Sequence, residues 1–261
     1  MRICTLASSS SGNCAVVSHG KIHILIDAGI SLRRIKDCLR GFGLSPGDLG
    51  CVLVTHDHID HIRGMQMLLK YHKTPVFSSH GTACSMLAAF SEAEPFVNVF
   101  ETGSAFDFGG VAVQSFSTPH DASGSVGFTL SAAGKKLAYV TDLGFVTDEV
   151  LNAALGSDVA IIEANHDRDM LRRGPYPQFL KRRILSEHGH LANGDSGDFA
   201  VSLAASGLRY VMLAHLSREN NTPQLAHTTV GDALLKAGFP VGRDVELDIA
   251  PPDAPGRIYE L

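Results

Sequence analysis

Short apolar runs recur along the chain, and each of them ends in polar residues or in glycine. Runs of this length that are rich in β-branched and other apolar residues predict β-strands. The runs are IHILI (22–26), CVLVT (51–55), TPVF (74–77), VAVQSF (111–116), VGFTL (126–130), KLAYVT (136–141), VAIIEA (159–164) and RYVMLA (209–214).

Helical patterns lie between several of these strands. The segment 31–43 places Leu32, Ile35 and Leu39 on one face, and the segment 62–72 repeats that spacing. Further helices are predicted at 148–155, 177–187, 195–206 and 228–237. The alternation indicates the α/β class and a single domain over residues 1–261, with a short irregular C-terminal tail at APPDAPG (250–256).

Composition narrows the class of protein. The chain has 261 residues, 44% of them hydrophobic, and a net charge of −5, so a general electrostatic footprint for nucleic acid is absent. No signal peptide and no apolar run of roughly 18 residues is present, which predicts no membrane segment. The five cysteines include no CxxC pair, so we expect a cytoplasmic protein with reduced thiols. Oligomeric state is not indicated.

The stretch THDHIDH (55–61) concentrates imidazoles and carboxylates. His56 and His58 are two positions apart, so an extended chain sends both to one side, where they can bind one ion. Asp60 and His61 lie where the chain turns into the next predicted helix and can serve a second ion. The HxHxDH spacing is far more specific than an isolated HxH.

Four other potential ligands follow predicted strands. Asp27 follows IHILI, Asp142 follows KLAYVT, His215 follows RYVMLA, and His120 comes soon after VAVQSF. Side chains at the ends of neighbouring strands project into a shared crevice. A single Asp or His in such a place is usually a turn former or a polar loop residue, but their conjunction with THDHIDH favours a metal site.

In this order, the residues resemble the metallo-β-lactamase fold superfamily. The resemblance implies a four-layer αββα sandwich. It implies a first ion bound by His56, His58 and His120. It also implies a second ion bound by Asp60, His61, Asp142 and His215, with Asp142 bridging the two ions and Asp27 orienting a ligand from behind.

Other segments resemble the YycJ (WalJ) subfamily, which is described as 5′-to-3′ DNA exonucleases. They are LASSSSGNC (6–14), EANHD (163–167), GHLAN (189–193) and AHLSRENNTPQLA (214–226). The resemblance implies a metal-dependent nuclease that acts on nucleic acid, and DNA is the substrate that the subfamily indicates.

Nitrogen and oxygen ligands without sulfur suit two divalent ions, Zn²⁺, Mn²⁺ or Fe²⁺. A pair of such ions makes water ionise near neutral pH, and the resulting metal-bound hydroxide is the expected nucleophile. Asp60, beside that water, can help to orient or deprotonate it.

Further residues are candidate substrate contacts. The hydroxyl-rich loop offers Ser10, Ser11 and Asn13 to a phosphate. The most basic stretch, RDMLRRGPYPQFLKRRI (168–184), contains Arg182 and Arg183 together with two aromatic residues, which suits phosphates and bases. The remaining candidates are His190, which can also protonate the leaving oxygen, and Arg218 and Asn220.

Three functions are compatible with these patterns. The first is the dinuclear phosphodiesterase acting on nucleic acid. The second keeps the metal site but hydrolyses a small molecule, such as a thioester, a lactone or a cyclic nucleotide. The third is a non-catalytic protein that binds metal or nucleic acid, which the complete ligand set disfavours.

Overall fold

The structure is a computed structural model that describes residues 1–261. Backbone contacts divide the chain into two compact units. Unit 1 comprises residues 1–115, 122–126 and 251–261, and unit 2 comprises residues 116–121 and 127–250. The single domain expected from the sequence stays a prediction. None of the helices is long and apolar enough to cross a membrane.

The first sheet has seven strands in the order β14-β1-β2-β3-β4-β5-β6. Its β1, β2 and β3 are antiparallel, whereas β3, β4, β5 and β6 are parallel. The strands are β1 (Arg2–Ala7), β2 (Cys14–His19), β3 (Ile22–Ile26), β4 (Cys51–Leu53), β5 (Val76–Ser79), β6 (Val97–Phe100) and β14 (Tyr259–Glu260). Helices α1 (Leu32–Gly41), α2 (Ile59–Ile62), α3 (Met65–His72) and α4 (His80–Ala89) accompany it, with 3₁₀ turns at Pro46–Asp48 and Ser91–Phe96.

The second sheet also has seven strands, in the order β13-β12-β11-β10-β9-β8-β7. The pairs β7–β8 and β9–β10 are antiparallel, and β10 to β13 are parallel. The strands are β7 (Ala105–Phe108), β8 (Val111–Ser117), β9 (Val126–Ala132), β10 (Lys135–Val140), β11 (Val159–Glu163), β12 (Tyr210–Ala214) and β13 (Glu246–Ile249). Its helices are α5 (Asp148–Ala154), α6 (Arg168–Arg173), α7 (Gln178–Ile184), α8 (Asn193–Ala205) and α9 (Pro223–Lys236).

Each unit has its own apolar core. In unit 1, Leu25 and Val52 of adjacent strands pack with Ile35 and Leu39 of α1, which confirms the predicted inner face of that helix. In unit 2, Ile162 and Leu213 pack with Phe199 and Leu203 of α8. Burial of apolar area is the main driving force for both cores.

The predicted helix at 62–72 is wrong at its start. The helical conformation is interrupted at Gly64, between the end of α2 and the start of α3. The N–H of Gly64 donates to the carbonyl of Ala28 at 2.7 Å. A Cβ at position 64 would lie 2.1 Å from the carbonyl oxygen of Ile30. The break is therefore a tertiary contact that helical periodicity does not reveal.

Candidate functional site

Site residues stand at or just after the ends of parallel strands in both units. In unit 1, Asp27 follows β3 and His56 follows its parallel neighbour β4. In unit 2, Asp142 follows β10, Glu163 ends β11 and His215 follows β12. Because the carboxyl ends of parallel strands meet at one edge of a sheet, each unit brings its own polar residues together there.

Three of these residues have a left-handed backbone. The φ angles of Asp27, Asp142 and His215 are 59°, 61° and 56°. This conformation costs a non-glycine residue about 1–3 kcal/mol and is concentrated at functional sites. The two other non-glycine residues with positive φ, Lys73 and Ala133, lie at a helix end and in a hairpin turn. The strain at the strand ends thus marks the same positions as the sequence pattern.

The THDHIDH stretch forms a compact cluster in unit 1. The ring centroid of His56 lies 4.6 Å from that of His58 and 4.1 Å from that of His61. His58 caps the N-terminus of α2, and Asp60 and His61 occupy that helix. His56 and His61 are fully buried. Burying a polar imidazole costs free energy unless its nitrogens are hydrogen-bonded or bind a ligand.

Asp27 holds His61 from behind. Its Oδ2 accepts a hydrogen bond from Nδ1 of His61 at 2.8 Å, and its Oδ1 accepts one from the backbone N of Thr55 at 2.8 Å. Burial raises the pKa of Asp27 above its ordinary value, although its contacts with His61 and Thr55 lower it in part. With Nδ1 committed to Asp27, a metal would be bound through Nε2 of His61.

The hydroxyl-rich loop that contains Ser10, Ser11 and Asn13 is joined to this cluster by backbone hydrogen bonds. The backbone N of Asn13 donates to the carbonyl of Asp60, and the backbone N of Gly29 donates to the carbonyl of Asn13, both at 2.8 Å. A Cβ at Gly29 would lie 1.7 Å from the carbonyl oxygen of Asp60. Only glycine therefore lets these loops approach closely enough to fix the backbone of Asp60.

In unit 2, the carboxylate of Glu163 organises two histidines. Its Oε1 accepts hydrogen bonds from Nδ1 of His190 at 2.8 Å and from Nδ1 of His215 at 2.9 Å. Its Oε2 accepts from the backbone N of Leu143 and of Leu191, each at 3.1 Å. Burial would raise the pKa of Glu163, but His190 and His215 outweigh it and hold that pKa well below its ordinary value. The side chain is thus a buried, ionised carboxylate with all its contacts inside unit 2.

Asp142 and His120 complete the group in unit 2. Oδ1 of Asp142 lies 3.4 Å from Nδ1 of His215 and 3.8 Å from Nε2 of His120. Nδ1 of His120 donates to the carbonyl of Gly189 at 3.0 Å, so Nε2 is its remaining ligand atom. The ring of His120 lies 5.0 Å from that of His190.

The donor atoms fit divalent metal ions. In unit 2, one ligand atom from each of Asp142, Glu163, His190 and His215 lies within 4.8 Å of the others. Four predicted ligands have Nδ1 within hydrogen-bonding distance of an oxygen: His56, His61, His120 and His215. This is the arrangement that fixes the tautomer of a metal-binding histidine and presents Nε2 to the ion.

The predicted substrate contacts differ in accessibility. Ser10, Ser11 and Arg218 are exposed. Asn13 and Asn220 are fully buried. The side-chain amide of Asn13 forms hydrogen bonds with Ser9 and His61. Their burial favours a supporting role, and direct contact of Asn13 and Asn220 with a substrate stays a prediction.

The basic stretch is also less available than its composition suggests. Lys181 is buried, and its Nζ donates to the carbonyl of Arg172 at 2.7 Å. Arg183 forms a bidentate pair with Asp121, which the sequence did not indicate and which satisfies its charge. Arg182 is exposed and forms no ion pair.

Glu163 is the site residue that sequence reasoning missed. It lies near the end of the predicted strand VAIIEA and begins the segment EANHD, but no role at the site is predicted for it there. A carboxylate at the end of an otherwise apolar strand is the signal that could have revealed it, because such a group is buried only when it is paired.

The fold and these side chains define a class of protein. The sequence profile of the family described as "Beta-lactamase superfamily domain" matches residues 23–216, and the chain belongs to that family. Its two mixed sheets flanked by helices agree with that assignment, which confirms the predicted α/β class, the metallo-β-lactamase fold and the assignment to the hydrolases.

Individual relatives indicate the subfamily within this family. Exodeoxyribonuclease YycJ of Bacillus anthracis is 34% identical over 256 residues, which cover 97% of this chain and 96% of that protein. Exodeoxyribonuclease WalJ of Streptococcus pneumoniae is 33% identical over 261 residues, 98% of this chain and 96% of that protein. The crystal structure of Zn²⁺-bound PqqB from Methylobacterium extorquens has the same fold, with a TM-score of 0.72, 20% identity and full coverage of both chains. The resemblance to the YycJ/WalJ subfamily is confirmed.

Proposed function

We propose that the protein is a dinuclear metal-dependent phosphodiesterase that degrades DNA as a 5′-to-3′ exonuclease. The observation that carries this proposal is the set of buried histidines whose Nδ1 atoms are anchored to oxygens. The set occurs in a chain that is similar over nearly its full length to two exodeoxyribonucleases.

The ligands in this proposal are those that the family resemblance implies. They are His56, His58, Asp60, His61, His120, Asp142 and His215. The nitrogen and oxygen donors suit Zn²⁺, Mn²⁺ or Fe²⁺, and the zinc of the structurally similar PqqB favours zinc.

When bound, two such ions supply water that is ionised near neutral pH and positive charge that stabilises the transition state. The side chains of the protein supply orientation and proton transfer. The carboxylate of Asp60 accepts a proton from, or aligns, the attacking water. The amide of Asn13 lies 3.4 Å from Oδ2 of Asp60 and helps to fix that carboxylate.

His190 is the proposed proton donor to the leaving oxygen. Its Nδ1–H is held by the ionised Glu163, so the proton to be transferred resides on Nε2. The hydrogen bond to Glu163 orients the imidazole ring, and a general acid has to be held within reach of the group that it protonates. His190 is partly exposed, which gives substrate access to it.

Substrate binding is assigned to the exposed polar residues. The hydroxyls of Ser10 and Ser11 donate to phosphate oxygens, and Arg182 and Arg218 neutralise the backbone. Because the chain carries a net charge of −5, such contacts have to be local.

The experiment compares three substrates with purified protein loaded with Zn²⁺ or Mn²⁺. They are a duplex labelled at the 5′ or the 3′ end, bis-p-nitrophenyl phosphate and S-lactoylglutathione. We expect the 5′ label to be released first as a mononucleotide, turnover of the small phosphodiester, and no turnover of the thioester. Cleavage of the thioester alone would overturn the nuclease assignment, and binding of DNA without any turnover would indicate a non-catalytic protein.

A variant pair shows whether the predicted ligands carry the activity. His58→Ala should lose metal and turnover. The control is His227→Ala, which replaces a partly buried histidine on α9 that belongs to neither cluster. Metal content by elemental analysis is read beside activity, so loss of activity with full metal content in the His58 variant contradicts the assignment of the ligand.

A further inference from the structure

One aromatic side chain in unit 2 remains in water without a packing role. Phe179 on α7 is 73% exposed, the highest value among the large apolar side chains that the surface exposes. An isolated exposed apolar residue is common, but most phenylalanine side chains contribute to stability by being buried, and this one does not. Its neighbours decide whether it has a use.

The charges around Phe179 are distributed unevenly. Arg168 pairs with Asp195 at 2.7 Å, and Arg183 pairs with Asp121. Arg173 and Arg182 are exposed and pair with no carboxylate. Arg182 is three positions after Phe179 on α7, so the two side chains lie on the same face of that helix. An aromatic ring thus stands beside an unneutralised guanidinium, which complements a polyanion that also offers flat bases.

Helix α7 is fixed firmly to the loop that carries His190. On its inner side, Lys181 donates to the carbonyl of Arg172, which ties α7 to α6. At its C-terminal end, the carbonyl of Ile184 accepts from the backbone N of His190 at 3.0 Å. A Cβ at Gly189 would lie 2.2 Å from that carbonyl oxygen, so the loop and the helix are in contact. A ligand on the outer face of α7 is therefore held at a set distance from His190.

That distance suits a nucleic-acid strand. The helix rises about 1.5 Å per residue, so Phe179 and Ile184 are roughly 7.5 Å apart along its axis. A base stacked on Phe179 would therefore lie within a few nucleotides of a phosphate at His190.

We propose that Phe179 is a stacking platform for one unpaired base of the DNA strand, and that Arg182 binds the phosphate next to it. The inference rests on the proposed nuclease function and extends it to the state of the substrate. Base faces are covered inside a duplex, so stacking on a side chain requires a single-stranded or frayed strand. The platform therefore selects ends that are already unpaired.

The first test measures binding of a 5′-labelled single strand by fluorescence anisotropy. Phe179→Ala is expected to raise Kd by about 10-fold, within the range for loss of one stacked base. Phe179→Leu, which keeps apolar area without a flat ring, should fall nearer to the alanine variant than to the wild type. Leu235→Ala is the matched control, because Leu235 on α9 is also an exposed apolar side chain, at 60%. Equal affinity of wild type and both Phe179 variants overturns the proposal.

The second test changes the substrate. Single strands with one abasic position are offered to the wild-type protein, and the abasic position is moved along the strand. Cleavage efficiency of the wild type should fall about 10-fold at one abasic position within a few nucleotides of the bond cut, and Phe179→Ala should be insensitive to the abasic position. Insensitivity of the wild type at every position overturns the proposal.

Two readouts separate this inference from the proposed function. Turnover of bis-p-nitrophenyl phosphate should be unchanged in Phe179→Ala, since that substrate does not reach the platform. A wild-type protein that binds single strands but cuts no DNA contradicts the proposed function, while the binding comparison still decides the platform. Self-association of the wild type that Phe179→Ala abolishes assigns the ring to a contact between copies and overturns the platform.

Discussion

Asp27 and His61 are 34 positions apart, yet Oδ2 of the first accepts a hydrogen bond from Nδ1 of the second at 2.8 Å. Both side chains are fully buried. A buried carboxylate that holds a buried imidazole fixes the tautomer and the ring plane, so Nε2 of His61 has one direction only. This pair therefore holds the His61 ring of the predicted metal site in unit 1 in a fixed orientation before an ion binds.

We expect Asp27→Asn to weaken metal binding by about 10–100-fold, the usual effect of removing the carboxylate behind a histidine ligand. The amide keeps the shape of the side chain but loses the negative charge. Competition with a chelating indicator measures the affinity. Asp37→Asn, which removes an exposed carboxylate on α1, is the control. Unchanged affinity in the Asp27 variant would mean that His61 does not bind the metal.

Glu163→Gln should reduce both stability and turnover. It removes the charge of the carboxylate that accepts hydrogen bonds from both His190 and His215, and breaking a buried ionic contact costs about 3–5 kcal/mol. Urea unfolding measures the first effect. The reduced turnover should appear as a lower kcat for bis-p-nitrophenyl phosphate, because the hydrogen bond that orients His190 is weakened. Glu187→Gln, in the exposed loop after α7, should change neither quantity, and a Glu163 variant that behaves like it refutes the assigned role.

Lys181 and Arg182 are adjacent in sequence but should respond in opposite ways. Arg182→Ala should leave the unfolding midpoint unchanged and reduce the slope of log affinity for DNA against log salt by about one. Lys181→Ala should lower the midpoint and leave that slope unchanged, because its ammonium group is bound to the carbonyl of Arg172. Salt titrations of binding and denaturant unfolding of both variants check this. If the slope changes in the Lys181 variant instead, the structural distinction between the two side chains is wrong.

Asp158 should contribute stability that depends on pH. Its burial raises its pKa, but the hydrogen bonds from Lys135 at 2.8 Å and from the backbone N of Lys136 at 2.9 Å outweigh this and lower that pKa below 3.8. A carboxylate with a lowered folded pKa stabilises the protein above its unfolded pKa, and this stability is lost as the pH falls through the folded pKa. Asp158→Asn should therefore cost about 1 kcal/mol at pH 7 and progressively less below about pH 4. A difference in unfolding free energy that is constant from pH 7 to pH 3 would contradict this.

The sequence predicted those parts of the molecule that local patterns encode. The strand IHILI was placed at Ile22–Ile26 as the structure has it, because an apolar run between polar residues leaves little choice. The clustering of His56, His58 and His61 was predictable from a period of two followed by a helix start. Such features depend on neighbours a few positions away.

The remaining features depend on contacts between distant segments. The break at Gly64 exists because the carbonyl of Ile30 passes close to it. Lys181 is buried because α6 offers a carbonyl to it. Asn13 turned inward because its amide meets Ser9 and His61. None of these partners lies within the windows that periodicity and composition sample.

The double contact of Glu163 has a consequence for how this scaffold can be redesigned. Because one oxygen atom, Oε1, anchors the rings of both His190 and His215, any displacement of the end of β11 swings the two rings together. The orientation of the proton donor can thus not be retuned for a new leaving group without disturbing the neighbouring imidazole. Attempts to alter substrate preference should therefore randomise the exterior of α7 and the serine-rich turn, and treat these three positions as one inseparable block.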